Sequence, residues 1–343
     1  MPDQDVKSLD RAGLAEALGS LGEPAYRTGQ LVRWLYGRGA TSFEQMTDLP
    51  GALRDKLAER FSLSFPSLVR RQVSPSDGTR KYLWRLGDGT MVEGVGLPAG
   101  GLLTVCLSTQ VGCVMGCSFC ATGRGGFVRN LLPGEIADQV SAVALDFGRR
   151  ATNAVAMGQG EPFANYDATL VAFRFLNSKD GAGIGARHLT ISTSGVVPGI
   201  RRLASEPEQF TLAVSLHSAV QPTRDALMPG VARWPLPELL AALAAYTAAR
   251  GRRVTLEYTL VDGANDNEGE LQALLRFCEG LLCHVNLIPV NAVAGSALER
   301  SSQQRVERFR HALRSAGVEA SVRVERGADI DAACGQLRQR CEP

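Results

Sequence analysis

The chain has 343 residues, of which 45% are hydrophobic and 21% charged, and its formal net charge is +2. These are the values of an ordinary soluble globular protein with room for more than one domain, and so small a net charge says little about partners. Eight cysteines in a chain this long do not suggest a disulfide scaffold, and no apolar run reaches the length of a membrane span: Leu236 to Ala249 is too short and is flanked by Pro and Arg.

In chain order, residues 1–65 read as a small helical accessory domain. Met1 to Asp5 is polar and acidic, so no export signal is visible. Leu9 to Leu18, Tyr26 to Tyr36 and Leu53 to Phe61 carry apolar residues at helical spacing, punctuated by Gly22, Gly37, Gly39 and Pro50. Over residues 66–100 the period changes. Tyr82 to Leu86 and Met91 to Leu97 alternate around Gly87-Asp88-Gly89, the signature of a hairpin in a small antiparallel linker. Arg70, Arg71, Arg80, Lys81 and Arg85 crowd this stretch. On composition alone they form a solvated surface, and a phosphate-binding face is only weakly signalled.

From residue 101 to 320 strand and helix alternate. Strands are expected at Leu103–Ser108, Asn153–Met157, His188–Ser192, Thr211–Ser215, Val254–Thr259 and Val285–Ile288. Helices are expected at Pro133–Phe147, Tyr166–Leu176, Pro198–Ala204, Leu236–Ala249, Asn267–Cys278 and Ser302–Ala316. Six such units predict an α/β fold with a parallel sheet, either doubly wound or curled toward a barrel. Ligands of such sheets sit beyond the carboxyl ends of the strands, which is where the distinctive polar motifs fall. A tail, residues 321–343, completes the chain.

Cys113, Cys117 and Cys120 follow the first of these strands at C-x3-C-x2-C spacing. Three thiolates in one short loop are soft ligands for iron or zinc, and three leave a metal position open. One reading is a zinc knuckle with Cys106 as fourth ligand, although Cys106 falls within a strand and no His completes a finger. The other is a [4Fe–4S] cluster whose fourth iron is free to chelate a small molecule. The clustered cysteines and the missing export signal point to a reducing cytosol. Cys278 and Cys283 read as buried fillers, and Cys341 as incidental.

The cysteine spacing on a first strand-to-helix loop resembles the radical S-adenosylmethionine (SAM) superfamily. Val105 to Cys113, Cys120-Ala121-Thr122-Gly123, Phe127 to Leu131, Met157 to Pro162, Ser192 to Pro198, Ser215-Leu216-His217, Asn286 to Pro289 and Gly327 to Leu337 extend that resemblance over nearly the whole chain. Together they resemble the RlmN-type dual-specificity RNA methyltransferases and their Cfr-type relatives. Gln159 departs from the family, which usually has Met there.

The resemblance implies a partial (β/α)6 barrel with a helical accessory domain. It implies one [4Fe–4S] cluster held by Cys113, Cys117 and Cys120, and two SAM molecules per turnover. SAM contacts carried over by position are Gly160, Glu161, Ser192, Ser215, Leu216, His217 and Asn291. By residue type alone, Ser192 and Asn291 would be strand-end caps and His217 a satisfied, half-buried histidine. A first SAM would methylate Cys334. A second, cleaved by the cluster, would yield a radical that takes hydrogen from that S-methyl group. The carbon radical adds to C2 of adenine, Glu93 accepts the C2 proton, and Cys106 attacks the Cys334 sulfur, releasing methylated RNA and leaving a disulfide for reduction. The implied substrates are 23S rRNA and a tRNA anticodon-loop adenosine. The implied setting is a cytoplasmic monomer, with no membrane association, served by a flavodoxin- or ferredoxin-type electron donor. A Cfr-type enzyme would instead act at C8 of the rRNA adenosine. A non-catalytic iron–sulfur or zinc RNA-binding module would need neither Cys334 nor Cys106.

Overall fold

The computed structural model describes residues 4–291, 293 and 296–337; Cys341 and the tail beyond Leu337 lie outside the described residues. The chain begins with α1 (Arg11–Ser20), α2 (Arg27–Val32) and α3 (Gly51–Arg60), α2 being prolonged by a π-turn over Arg33–Gly37. Asp10 caps α1, its carboxylate accepting from Gly13 N at 2.7 Å. The apolar spacing of these helices is used as expected: Leu14, Leu18, Leu31, Leu35, Leu53 and Leu57 are buried in the common core.

Next come β1 (Ser67–Val73), β2 (Arg80–Arg85), β3 (Met91–Ala99) and β4 (Leu102–Cys106), each antiparallel to the one before it. The cysteine loop is framed by a separate two-stranded ribbon, β5 (Gln110–Gly112) and β6 (Phe127–Asn130), with α4 (Ala121–Arg124) between them. The alternating part follows as α5 (Pro133–Phe147), β7 (Asn153–Ala156), α6 (Tyr166–Asn177), β8 (Leu189–Thr193), α7 (Val197–Ala204) and β9 (Thr211–Ser215). It continues as α8 (Gln221–Leu227), α9 (Leu236–Arg250), β10 (Val254–Leu260), α10 (Glu268–Cys278), β11 (Cys283–Pro289), α11 (Gln303–Ser315) and β12 (Glu319–Val322).

Strands β1, β2, β3, β4, β7, β8, β9, β10, β11 and β12 form one sheet in that order, parallel from β4 onward. The order decides between the two expected architectures. A doubly wound sheet reverses direction at a switch point, whereas here every crossover advances one strand the same way. Right-handed crossovers that never reverse place the helices on one face and curl the sheet into a partial barrel. The antiparallel hairpin is part of the same sheet, continuing it from β4 to β1. Along β10, Val254, Leu256, Tyr258 and Leu260 share one face and are fully buried, while the alternate face carries Thr255, Glu257 and Thr259.

Helix α5 shows how the units are delimited. Pro133 opens it, the Glu135 carboxylate accepts from Leu132 N at 2.8 Å, and Gly148 ends it in the left-handed region. The helical domain packs on α5 and α6. Lys7 and Asp138 form a buried ion pair at 2.7 Å, and Tyr36 stacks on Phe175 at 4.1 Å. Gly134 permits this approach, since a Cβ there would lie 2.3 Å from Lys7 Cβ.

Candidate active site

A cleft of about 960 Å³, including its open mouth, lies at the carboxyl ends of the parallel strands. Cys113, Cys117, Cys120, Gly160, Glu161, Ser192, Ser215, His217, Asn291 and Cys334 all line it. The fold therefore brings together ten of the thirteen residues expected from the sequence. Leu216 is buried beneath the cleft, its backbone N donating to Glu257 O at 3.0 Å. Cys106 and Glu93 stand apart from it, as described below.

The cysteine loop is held largely by backbone contacts, with Ser118 Oγ also donating to Leu227 O at 3.4 Å. Cys113 N donates to Gly126 O at 2.8 Å, Ser118 N to Leu227 O at 3.0 Å, and Gly230 N to Met115 O at 3.0 Å. Gly123 is required by the close return of the chain, because a Cβ there would meet Cys117 N at 2.7 Å. Among the described residues, no three His, Cys, Asp or Glu side chains are arranged around one point as a single metal ion demands. A four-iron cluster makes a different demand: each thiolate takes its own iron corner. Three soft donors in one loop, facing a cleft with further polar groups opposite, fit that group.

The Gly158–Pro162 loop approaches from β7. Gly158 and Gly160 are both forced by contact, since Cβ atoms there would lie 2.7 Å from Leu107 O and 2.6 Å from Gln110 Cβ; Gly160 also has φ +102°. Glu161 is buried and accepts from Phe163 N at 3.0 Å and from Ser194 N and Oγ at 2.7 and 2.6 Å. Burial pushes its carboxyl upward and these bonds oppose the shift. A carboxylate offers about four lone-pair sites, so a cationic ligand in the cleft still finds an acceptor. Gln159 faces elsewhere: its Oε1 accepts from Glu93 N at 3.2 Å. The departure from the family pattern therefore reaches β3 rather than the cleft.

His217 holds a left-handed backbone, φ +54°, uncommon for a non-glycine residue. Its Nδ1 accepts from Thr259 N at 2.9 Å and its carbonyl accepts from Asn265 Nδ2 at 2.6 Å. That hydrogen bond assigns the proton to Nε2. Burial, with Arg224 nearby, lowers its pKa to about 3, so the ring is neutral. Phe119 packs edge-on against it, ring centroids 4.7 Å apart.

The tail folds back across the barrel mouth. Asn291 Nδ2 donates to Cys334 O at 2.9 Å, Ala121 N to Gly335 O at 2.7 Å, and Thr122 Oγ1 to Leu337 O at 2.6 Å. Its other side is tied to the antiparallel strands: Arg326 Nη1 donates to Pro98 O at 2.5 Å, Gly327 N to Asp77 Oδ2 at 3.0 Å, and Lys81 Nζ to Asp331 O at 3.1 Å. Cys334 thereby lines both the main cleft and a second cavity, which Cys106 also lines. Burial and the neighbouring Cys334 push the Cys106 thiol up to about 12, so it is protonated at neutral pH.

Glu93 lines neither cavity. It is buried on β3, paired with Lys81 at 3.0 Å, on the same face as Val95 and Leu97, which do line the second cavity. Sequence reasoning missed Arg323 and Glu257. Both line the cleft, and Asn286 Nδ2 donates to Glu257 Oε2 at 2.7 Å. Cys334, and then Glu257, raise the Arg323 pKa, so a half-buried cation accompanies the carboxylate in the cleft. A single charged residue on or just past a strand carries no motif, so only the packing of β10 and β12 on either side of β11 exposes this group.

Two family models match: the ribosomal RNA large subunit methyltransferase N-terminal domain over residues 4–63, and the radical SAM superfamily over residues 107–277. A relative from Pelotomaculum thermopropionicum, named a probable dual-specificity RNA methyltransferase RlmN, is 47% identical over 337 residues, spanning 98% of this chain and 92% of its own. One from Anaeromyxobacter dehalogenans, named dual-specificity RNA methyltransferase RlmN, is 46% identical over 341 residues, spanning 97% and 91%. The crystal structure of a radical SAM methyltransferase from Sphaerobacter thermophilus superposes with a TM-score of 0.91 at 47% identity, over 98% of this chain and 99% of that one. With a helical domain, a singly wound partial barrel, a three-cysteine loop and relatives this similar along its length, the chain belongs to the RlmN family of radical SAM methyltransferases.

Proposed function

We propose that this protein methylates C2 of an adenosine in 23S rRNA and of an adenosine in a tRNA anticodon loop, with Cys334 as the methyl carrier. The observation that carries the reading is the position of Cys334. It lines the cleft of the three-cysteine loop and also the cavity of Cys106. The cofactors are a [4Fe–4S] cluster and SAM, which when bound supply one-electron chemistry able to take hydrogen from a methyl group.

The chain's own residues divide the remaining work. Cys113, Cys117 and Cys120 hold three irons. Gly160 lets the backbone approach SAM, Glu161 accepts from its ammonium, and Ser192, Ser215, Leu216, His217 and Asn291 complete its surroundings, His217 as a neutral Nε2–H donor. Cys334 receives a methyl group and presents it to the base. Glu93 accepts the C2 proton, a role supported by its sharing a strand face with Val95 and Leu97. Cys106 then attacks the Cys334 sulfur, so the covalent bond to RNA breaks and a disulfide forms. Reduction of that disulfide by cellular thiols restores both groups. The protonated resting state of Cys106 keeps it from competing before the adduct exists. A flavodoxin- or ferredoxin-type donor, a monomeric state, a cytoplasmic location and domain limits near residues 65, 100 and 320 belong to the same reading. Among the described residues no helix is long and apolar enough to cross a membrane.

The test is a Cys106→Ala variant under anaerobic turnover with an RNA substrate. A covalent RNA adduct on Cys334 is expected, and mass spectrometry of RNA methylated by the unsubstituted enzyme should place the methyl group at C2. Methyl at C8 would replace this reading with the Cfr-type one. A protein that retains zinc and no iron would end both.

A further inference from the structure

The two cysteines that looked like independent fillers in the sequence meet in space. Cys278 is the last residue of α10 and Cys283 the first of β11. The connection turns tightly: Leu281 N donates to Cys278 O at 3.1 Å, and Gly280 takes φ +71°. Strand β11 is then pinned to β10 by the Val254–Cys283 pairing and by Val254 N donating to Leu282 O at 3.1 Å. The result is two neighbouring thiols joined by a four-residue turn and packed against the same core, each the main influence on the other's ionisation. Both thiols are free. They sit at the amino end of β11, so the barrel's length separates them from the cleft at the carboxyl ends.

The two members are unequal. Cys278 is 3% exposed, whereas Cys283 is only partly buried and borders the exposed Leu282. The neighbouring Cys278 holds Cys283 below the usual thiol range, and Cys283, with burial, raises Cys278. A reachable sulfur that ionises first beside a sheltered sulfur that stays protonated is the arrangement of an attacking and a resolving thiol.

We propose that Cys278 and Cys283 form a second dithiol–disulfide site, independent of Cys106 and Cys334, that accepts low-molecular-weight disulfides such as glutathione disulfide. The Cys283 thiolate attacks one sulfur of the oxidant and expels one thiolate, giving a mixed disulfide. Cys278 loses its proton to solvent and attacks the Cys283 sulfur, expelling the second thiolate. Two protein thiols are oxidised to one disulfide and one oxidant disulfide is reduced to two thiols. The new bond staples the end of α10 to the start of β11 and leaves the cleft untouched.

The experiment treats the anaerobic holoenzyme with glutathione disulfide, alkylates the remaining thiols and digests with trypsin. No Lys or Arg lies between Phe277 and Glu299, so both cysteines stay in one peptide ending at Arg300, apart from the peptides of Cys106 and Cys334. That peptide is expected to lose two hydrogens and take no alkyl group. Cys278→Ser should trap glutathione on Cys283, and Cys283→Ser should leave Cys278 free of glutathione. Both variants should retain methyl transfer under reducing conditions. Doubly alkylated peptide after treatment that oxidises Cys106 and Cys334 would overturn the proposal. So would glutathione stably retained on Cys283 of the unsubstituted protein. If a serine variant fails to fold, the unsubstituted peptide decides alone.

Discussion

The side-chain amide of Asn291 donates to the carbonyl oxygen of Cys334 at 2.9 Å, linking the end of β11 to the tail. Asn291→Ala removes this tether while leaving the three-cysteine loop intact. A net hydrogen bond of about 1 kcal/mol corresponds to roughly a fivefold to tenfold loss of rate. Methyl loading of Cys334, followed by mass spectrometry with labelled SAM, should fall by that factor. Iron and sulfide content should not change. A loss of cluster with no change in loading per cluster would refute the tether.

Gly160 is a steric requirement. Alanine there would place Cβ 2.6 Å from Gln110 Cβ at φ +102°. Gly160→Ala is expected to cost about 2 kcal/mol of stability and at least tenfold in SAM affinity, read by thermal melting and equilibrium binding. Gly19 in α1 is the control, because nothing lies within 4 Å of a Cβ built there. Gly19→Ala should raise stability by about 0.5–1 kcal/mol.

His217 predicts a pH dependence. Its folded pKa of about 3 lies below the ordinary 6.5, so between those values the native state binds fewer protons than the unfolded chain. The corresponding stability is complete above about 6.5 and is lost as pH falls toward 3. Denaturant midpoints should decline over that window, at up to about 1.4 kcal/mol per pH unit from this group. His217→Asn, whose short side chain tolerates the left-handed backbone, should flatten the decline. An unchanged slope would show that the ring is not neutral in the native state.

Lys7 and Asp138 join the helical domain to α5 with both side chains 2% exposed. Removing one partner leaves a buried charge, so Lys7→Met should destabilise by about 3–5 kcal/mol. The double change Lys7→Met with Asp138→Leu should recover most of that loss. Both are read by chemical denaturation. Equal destabilisation by the single and double changes would mean that packing around Gly134, not charge, holds the interface.

The parallel units were legible because apolar runs separated by helical periods recur six times, and the cysteine loop because its spacing is local. Four strands were harder to see. In β1 every residue except the half-buried Gln72 is exposed, so no alternation of buried and exposed positions marks it. Strands β5 and β6 are split by the cysteine loop, and β12 spans only Glu319–Val322. Ten of the residues singled out in the sequence line one cleft, where the strand-end motifs converge. Arg323 and Glu257 were not anticipated, because Glu257 on β10 and Arg323 just past β12 are brought together only by both strands flanking β11, 66 residues apart in number. Gln159 shows the reverse case: its neighbours suggested a ligand contact, yet its side chain turns to Glu93 N.

The parallel sheet ends at β12 and the antiparallel one at β1, and strand hydrogen bonds do not join those edges. The segment from Arg326 to Leu337 crosses that seam, fastened to Pro98, Asp77 and Lys81 on one bank and to Asn291 and α4 on the other. Cys334 therefore rides on the bridge itself. Gly335 O accepts from Ala121 N, the residue after Cys120, so the bridge keeps Cys334 in step with the three-cysteine loop across the open side of the barrel.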